Sequence, residues 1–220
     1  VSVQTLHLVL ALLLPAAYVL GGIPFGVLIA KRRGIDLKSV GSGNVGATNA
    51  GRALGKRYFF LVLALDAMKA LVPAAVASVL VHASTESADR SALTFGLWIG
   101  VGVAAIVGHV FSPFLGFKGG KGVACGLGLV LGVFPYLTLP GLVGLAAFVI
   151  AFKLTRFVSV GSMVAAAVLP VSYLAIAAVF NWPLSKQWPI LLILSLVSAL
   201  LIWRHRSNVR RLLAGTEVRT

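Results

Sequence analysis

The sequence predicts an all-α fold, a polytopic integral membrane helical bundle of about seven transmembrane helices with its amino terminus outside and its carboxyl terminus cytoplasmic. Three observations predict it. The chain of 220 residues is 59% hydrophobic and only 11% charged, and its mean hydropathy is +1.01. Such values place a soluble globular domain well behind a membrane protein. Its apolar residues fall into runs long enough to cross a hydrocarbon core about 30 Å thick, which takes about 20 helical residues. Its basic residues sit between those runs rather than in them.

The runs follow in order. Residues 6–30 form the first, and the first positive charge is Lys31, so the basic stretch that opens a cleaved signal peptide is missing and a retained span is expected. Residues 58–81, 91–107, 158–180 and 188–203 give four more. The stretch 122–152 is too long for one crossing and carries Pro135 and Pro140, which favour a turn or sharp kinks, so two short helices are expected there. No internal repeat, low-complexity tract or soluble domain stands out, and 1–220 reads as a single transmembrane domain.

Orientation comes from the charges, because cytoplasmic loops carry excess Lys and Arg. Of 19 Lys and Arg, only Arg90 and Lys186 fall in the loops of one side, and only Lys69 falls inside a span. All the others, from Lys31 to Arg219, fall on the opposite side, which is therefore cytoplasmic. The net charge of +14 belongs to membrane borders and not to a nucleic-acid surface. Cys125 is the only cysteine, so no intrachain disulfide forms, and no Cys or His cluster has metal-ligand spacing.

Two glycine-rich stretches lie on the basic side. Gly41, Gly43 and Gly46 have the G-x-G-x-x-G spacing of a dinucleotide fold, but a membrane span precedes them and Asp66 falls within the next span instead of at a strand end. In "FKGGKG", Gly116, Gly120 and Lys121 are one residue short of a phosphate loop, and Gly122 stands where Ser or Thr belongs. The physics behind both motifs survives: glycines let backbone N–H groups converge on an oxyanion, and nearby cations neutralise it. Ser42, Asn44, Thr48, Asn49 and Arg52 supply the first stretch with donors, while Lys118 and Lys121 supply the second. One such loop is an ordinary turn; two on one side favour anion binding.

"GSGNVGATNAGR", "GHVFSPFLGFKGGKGVACG" and "HRSNVRRLLAGTE" resemble, in that order, the three cytoplasmic motifs of the bacterial acyl-phosphate:glycerol-3-phosphate acyltransferase family, the PlsY type. The resemblance runs from about Gly21 to Glu217. It implies transfer of a fatty acyl chain from acyl phosphate to the first hydroxyl of glycerol-3-phosphate, giving lysophosphatidic acid and inorganic phosphate. Cys125 stands where many members carry Thr, and Ala70 where Gly is frequent; both keep the position small. Acyltransferases that use soluble donors carry H-x-x-x-x-D, and none of His7, His82, His109 or His205 has Asp five positions on.

The resemblance implies that Ser42 and Arg52 are critical to activity and that Gly119, Gly120 and Gly122 form the glycerol-3-phosphate loop, with Lys118 and Lys121 as charge partners. It also implies that His205 and Asn208 support catalysis, and that Glu217 secures structure. The residues add to this. Thr48 and Asn49 are expected to donate to phosphate, while Asn44 is a further donor. Ser42 lacks a neighbouring base and is read as a binding group, with helix capping as the alternative. His205 and Asn208 share a helical face that Arg211 continues. His109 ends the third span and reads equally as a substrate contact and as an interfacial histidine. Asp66 and Lys69, i and i+3 within a span, must pair or face a polar cavity, since each charge alone costs roughly 2.5–3.5 kcal/mol there; Lys69 is placed near the substrate. For the proton acceptor, His109, His205 and a substrate phosphate oxygen remain open.

Acyl phosphate, glycerol-3-phosphate and membrane lipids are the expected partners, with no nucleic acid, obligate protein partner, metal or cofactor. A transporter of a phosphorylated metabolite is the alternative, but it predicts a midplane site between repeated halves, whereas these polar groups gather at one face. A lipid-binding scaffold would not require Ser42 or paired glycine loops.

Overall fold

The computed structural model describes residues 2–219, and among them every regular element is helical. The chain begins with α1 (Val3–Gly22) and α2 (Phe25–Lys31), then α3 (Ala47–Leu54) and α4 (Lys56–Ser84). Next come α5 (Ala92–Val110), α6 (Val123–Gly132) and α7 (Thr138–Thr155). The last three are α8 (Val158–Val179), α9 (Leu184–Arg204) and α10 (Arg206–Leu213). Among the described residues six stretches, against the seven expected, are long and apolar enough to cross a membrane: Val3–Lys31, Lys56–Ser84, Ala92–Leu115, Thr138–Thr155, Val158–Val179 and Leu184–Arg204.

Large apolar side chains such as Leu12, Val79, Leu154, Val171 and Val179 point outward, as a lipid-facing surface requires. The interior holds Trp98, Tyr173, Phe95 and Ile106. Without a hydrophobic drive between helices in lipid, close backbone approach holds the bundle together, and small residues permit it. A Cβ on Gly108 of α5 would lie 2.0 Å from the Tyr18 carbonyl oxygen of α1, and one on Gly128 of α6 would lie 2.0 Å from the Ala67 carbonyl oxygen of α4.

Two features differ from the sequence expectation in a way that matters for the site. The first span is broken at Ile23 and Pro24, because proline has no N–H to continue the ladder and disfavours helical geometry in the residue before it. The Ile23 carbonyl that the break releases accepts a hydrogen bond from Lys69 Nζ at 2.9 Å. The 122–152 stretch does form two helices, but α6 has only 10 residues, too few for a crossing of its own. The link after it, through Pro135, carries Tyr136 to Ser87 in the α4–α5 loop, where the two hydroxyls lie 2.9 Å apart. Residues 122–137 thus run from the basic end of the bundle to the opposite end. Pro140 does not break the second helix; it sits in the first turn of α7, where a missing N–H costs little.

Candidate active site

At the basic end, three segments meet. The first is the loop 32–46 and the start of α3. Asn49, 2% exposed, organises it: its Oδ1 accepts the Ser42 N–H at 2.9 Å, and its Nδ2 donates to the Leu37 and Val40 carbonyls, each at 3.0 Å. Asn44 Oδ1 accepts the Gly46 N–H at 2.9 Å and closes the turn into α3. The Asn49 amide is therefore committed to backbone and shapes the loop, where the sequence suggested a donor to phosphate. Thr48 is half-buried and lies off the cavity described below.

The second segment is 111–122. Ser112 Oγ donates to the Gly22 carbonyl at 2.6 Å, anchoring the loop to α1. The Gly119 N–H bonds the Val110 carbonyl at 3.1 Å and the Gly120 N–H bonds the His109 carbonyl at 3.0 Å. These two amides are thus already spent on backbone, so they are not the oxyanion cradle that the glycine pattern suggested. Their glycines serve close packing instead: a Cβ on Gly119 would lie 2.0 Å from the His109 carbonyl oxygen, and one on Gly120 would lie 2.1 Å from His109 Nε2. Gly122, at φ 88°, turns the chain into α6, whose first turn has no side-chain cap. That leaves the helix N-terminus as a positive end beside Lys121.

The third segment is the end of α9, α10 and the tail. Arg204 reaches back to the glycine loop, donating through Nη2 to the Gly119 carbonyl at 2.9 Å and to the Gly120 carbonyl at 3.1 Å. Lys121 Nζ donates to Asn208 Oδ1. Asn208 Nδ2 donates to Glu217 Oε1 at 2.6 Å, Arg211 Nε donates to Glu217 Oε2 at 2.7 Å, and Ser159 Oγ of α8 donates to Oε1 at 3.1 Å. Burial raises the Glu217 pKa, but the bonds from Arg211, Asn208 and Ser159 outweigh it and hold the carboxyl below its ordinary range. Arg52, exposed on α3, donates to the Val218 carbonyl at 3.0 Å, so the tail joins α3 to α10.

We expect Glu217→Ala to release this tail, since removing one partner leaves buried donors unmatched. The melting temperature should fall by several degrees, with activity falling alongside it. Because the native carboxyl titrates below its unfolded counterpart, the contribution is complete above the unfolded pKa, about 4.3, and disappears as pH falls through the native value. A melting curve that Glu217→Ala leaves unchanged at neutral pH would count against the strut.

Between the segments lies a cavity of about 270 Å³, near the lower end of small-ligand pockets. Lys38, Lys118, Lys121, Arg204 and Arg211 line it together with Ser42, Asn44 and Gly119, and among the described residues no carboxylate does. Burial lowers the Lys121 pKa to about 8, with Arg211, Arg52 and Arg204 lowering it further against the pull of Glu217. His205, 2% exposed, shares Nδ1 with the Leu201 carbonyl at 2.7 Å. Burial first and the Lys121 charge second lower its pKa to about 4, so the ring is neutral near pH 7.

Lys69 and His109 lie one layer deeper. Lys69 Nζ is 2.8 Å from Asp66 Oδ1, His109 Nδ1 is 3.7 Å from the same oxygen, and the Cys125 thiol donates to the Asp66 carbonyl at 3.0 Å. They border a separate void of about 10 Å³, room for about one water. This cluster supports the glycine loop from below. Arg204, Lys38 and Ser207 line the cavity but were not singled out by spacing. Arg204 immediately precedes the third motif, and only the fold shows that it grips the second.

The sequence profile of the family described as Glycerol-3-phosphate acyltransferase matches residues 11–215. Curated proteins named glycerol-3-phosphate acyltransferase are similar throughout. That of Geobacter sulfurreducens is 43% identical over 210 residues, 94% of this chain and 96% of its own length. That of Aquifex aeolicus is 43% identical over 206 residues, 92% and 95% of the two chains. Among solved structures, PlsY (YgiH), an integral membrane glycerol 3-phosphate acyltransferase, superposes in its glycerol 3-phosphate form with a TM-score of 0.78 at 38% identity, covering 96% of this chain and 95% of that one. Its lysophosphatidic acid form superposes with a TM-score of 0.76. A match of this extent, on a helical bundle whose three motif segments converge on one basic cavity, shows that the chain belongs to the glycerol-3-phosphate acyltransferase family.

Proposed function

We propose that the protein transfers a fatty acyl chain from acyl phosphate to the sn-1 hydroxyl of glycerol-3-phosphate, releasing lysophosphatidic acid and inorganic phosphate at the cytoplasmic face of the bacterial inner membrane. The observation that carries this reading is the cavity at the basic end of the bundle, lined among the described residues by five cations and no carboxylate. Both reactants are phosphate monoanions or dianions, and one of them brings an acyl tail that stays in lipid. The excess of Lys and Arg at that end supports a cytoplasmic orientation.

Acyl phosphate is a mixed anhydride and needs no covalent enzyme intermediate. The glycerol hydroxyl oxygen attacks the acyl carbon, and the carbon–oxygen bond to phosphate breaks as the tetrahedral oxyanion collapses. Lys121, Lys118 and Arg211 are assigned to the phosphates, with Ser42 and Asn44 as neutral donors at the rim. Arg52 lies off the cavity lining and is assigned to a substrate phosphate on the strength of the resemblance and of its electrostatic coupling to Lys121, and Asn208 holds the Lys121 ammonium in place. Charge held in fixed positions stabilises the oxyanion and the departing phosphate without reorganisation during the reaction. The hydroxyl proton is assigned to an oxygen of the phosphate leaving group. This choice rests on His109 and His205 lying off the cavity lining, with the His205 Nδ1 already engaged.

The test is release of inorganic phosphate by purified protein in lipid, supplied with acyl phosphate or acyl coenzyme A, with and without glycerol-3-phosphate. Release should require acyl phosphate and glycerol-3-phosphate together. Arg52→Ala should lower kcat/KM about 10–150-fold, the worth of a charged hydrogen bond of about 1.5–3 kcal/mol. Equal turnover with acyl coenzyme A would overturn the donor, and an unchanged Arg52→Ala rate would overturn the Arg52 assignment.

A further inference from the structure

A second group of cations gathers at the basic end, apart from the cavity. Lys31 ends α2 and one candidate span, Arg32 and Arg33 follow it, and Lys56 and Arg57 open α4 and the next span. The fold turns these two chain segments toward one side chain. The guanidinium carbons of Arg33 and Arg57 lie 5.5 and 4.8 Å from the centroid of the Tyr58 ring, and Arg57 Nη2 donates to the Tyr58 hydroxyl at 3.1 Å. Tyr58 itself is 8% exposed, whereas Arg33 and Arg57 are both exposed.

Two like charges on one ring repel unless an anion lies between them, and cation–π attraction at exposed sites is worth only about 0.5–1 kcal/mol. Among the described residues, no carboxylate oxygen lies within 4.0 Å of either guanidinium. Asp36, the one acid in the loop between α2 and α3, turns its Oδ1 to the Lys38 N–H at 2.9 Å. The position of the cluster identifies what completes it. It stands at the ends of two candidate spans, Val3–Lys31 and Lys56–Ser84, and Leu28, Phe60 and Leu61 along the same helices are exposed apolar surface. A free phosphate needs cations alone; a phospholipid also needs that apolar surface for its chains.

We propose that Arg33, Arg57 and Tyr58, flanked by Lys31, Arg32 and Lys56, seat the phosphate headgroup of an anionic membrane phospholipid at a site separate from the reaction cavity. None of these residues lines that cavity. The seat is linked to it mechanically. A Cβ on Gly51 of α3 would lie 2.6 Å from Phe59 Cβ, so α3 rests on the turn of α4 that carries Tyr58. α3 in turn holds Asn49 and Arg52. A headgroup that bridges the end of α2 and the start of α4 therefore ties down both helices that flank α3.

The experiment is native mass spectrometry of the full chain titrated with phosphatidylglycerol, phosphatidylcholine or inorganic phosphate, for wild type and Arg33→Gln/Arg57→Gln. Wild type should retain one phosphatidylglycerol in preference to phosphatidylcholine. The double variant should hold it roughly 30-fold more weakly, the worth of two basic residues at an anionic surface, with phosphatidylcholine retention unchanged. Should the double variant not fold, Arg33→Gln alone should lose roughly fivefold. In vesicles of phosphatidylcholine, adding phosphatidylglycerol should raise the melting temperature of wild type and not that of the variant. Equal phosphatidylglycerol retention by both proteins overturns the seat, and displacement of the lipid by inorganic phosphate overturns a lipid in favour of a free anion. The retention arm does not depend on the acyltransfer reading, so each can fail alone.

Discussion

Gly119→Ala is expected to abolish turnover almost entirely while leaving the helical bundle folded. The added Cβ would lie 2.0 Å from the His109 carbonyl oxygen and 3.0 Å from that of Val110, and both obstacles are backbone at the end of α5, which cannot swing aside. The loop must withdraw instead. In doing so it gives up the Gly119 and Gly120 hydrogen bonds to those carbonyls, and it displaces the two carbonyls that Arg204 grips. Lys121 follows immediately in the chain. Misplacing a positioned group by about 1 Å costs on the order of 10²-fold in rate, and here several cations move together, so kcat/KM should fall by about 10³-fold or more. Gly120→Ala provides the contrast, because its Cβ meets the His109 ring at Nε2, a side chain that can be removed. Pairing Gly120→Ala with His109→Ala should recover part of the lost rate, whereas the same partner should not rescue Gly119→Ala. Steady-state kinetics, with circular dichroism as the folding control, measure all four proteins. If Gly119→Ala turned over within tenfold of wild type, the close packing of this loop would not be what positions the cations.

The same loop shows what the sequence made legible. Hydropathy and charge placement identified the six long apolar stretches and the basic end, though not a seventh helix of crossing length, because lipid demands long apolar helices and the borders tolerate Lys and Arg. Spacing identified both glycine loops, and the resemblance placed the third motif with them. It was the job of each glycine that spacing could not supply: the pattern suggested amides open to an oxyanion, while the fold spends the Gly119 and Gly120 amides on α5. Asn49 is similar. An Asn beside a glycine loop suits a phosphate donor equally well, and only the positions of Leu37 and Val40 reveal that its amide is occupied. Arg204 was hidden for the opposite reason. In sequence it is one more border cation, and its contact with Gly119 and Gly120 spans 84 residues or more of chain. Lys69 became intelligible only once the helix break at Pro24 released the Ile23 carbonyl.

Lys121→Met should remove about 10²–10³-fold of kcat/KM, the range that loss of one positioned oxyanion donor produces. Lys121 stands where the segments join: it lines the cavity, follows the glycine pair and bonds Asn208 of α10. Methionine keeps the unbranched chain without the ammonium and leaves Asn208 Oδ1 without its donor, while the Asn208 Nδ2 bond to Glu217 remains. Titration separates this role from packing. Burial, together with Arg211, Arg52 and Arg204, brings the Lys121 pKa down to about 8, against about 10.4 for a free lysine. Phosphate binds the charged form, so affinity is complete below pH 8. Above it a decreasing fraction of the free enzyme carries the ammonium, and kcat/KM for glycerol-3-phosphate should fall up to tenfold per pH unit. Lys121→Arg keeps its charge across this range and should lose the alkaline limb, whatever its absolute rate. A purely structural lysine would instead leave the pH profile of its Met and Arg variants parallel to that of wild type. An alkaline limb that persists near pH 8 in both variants would assign the titration, and with it the phosphate contact, to another group.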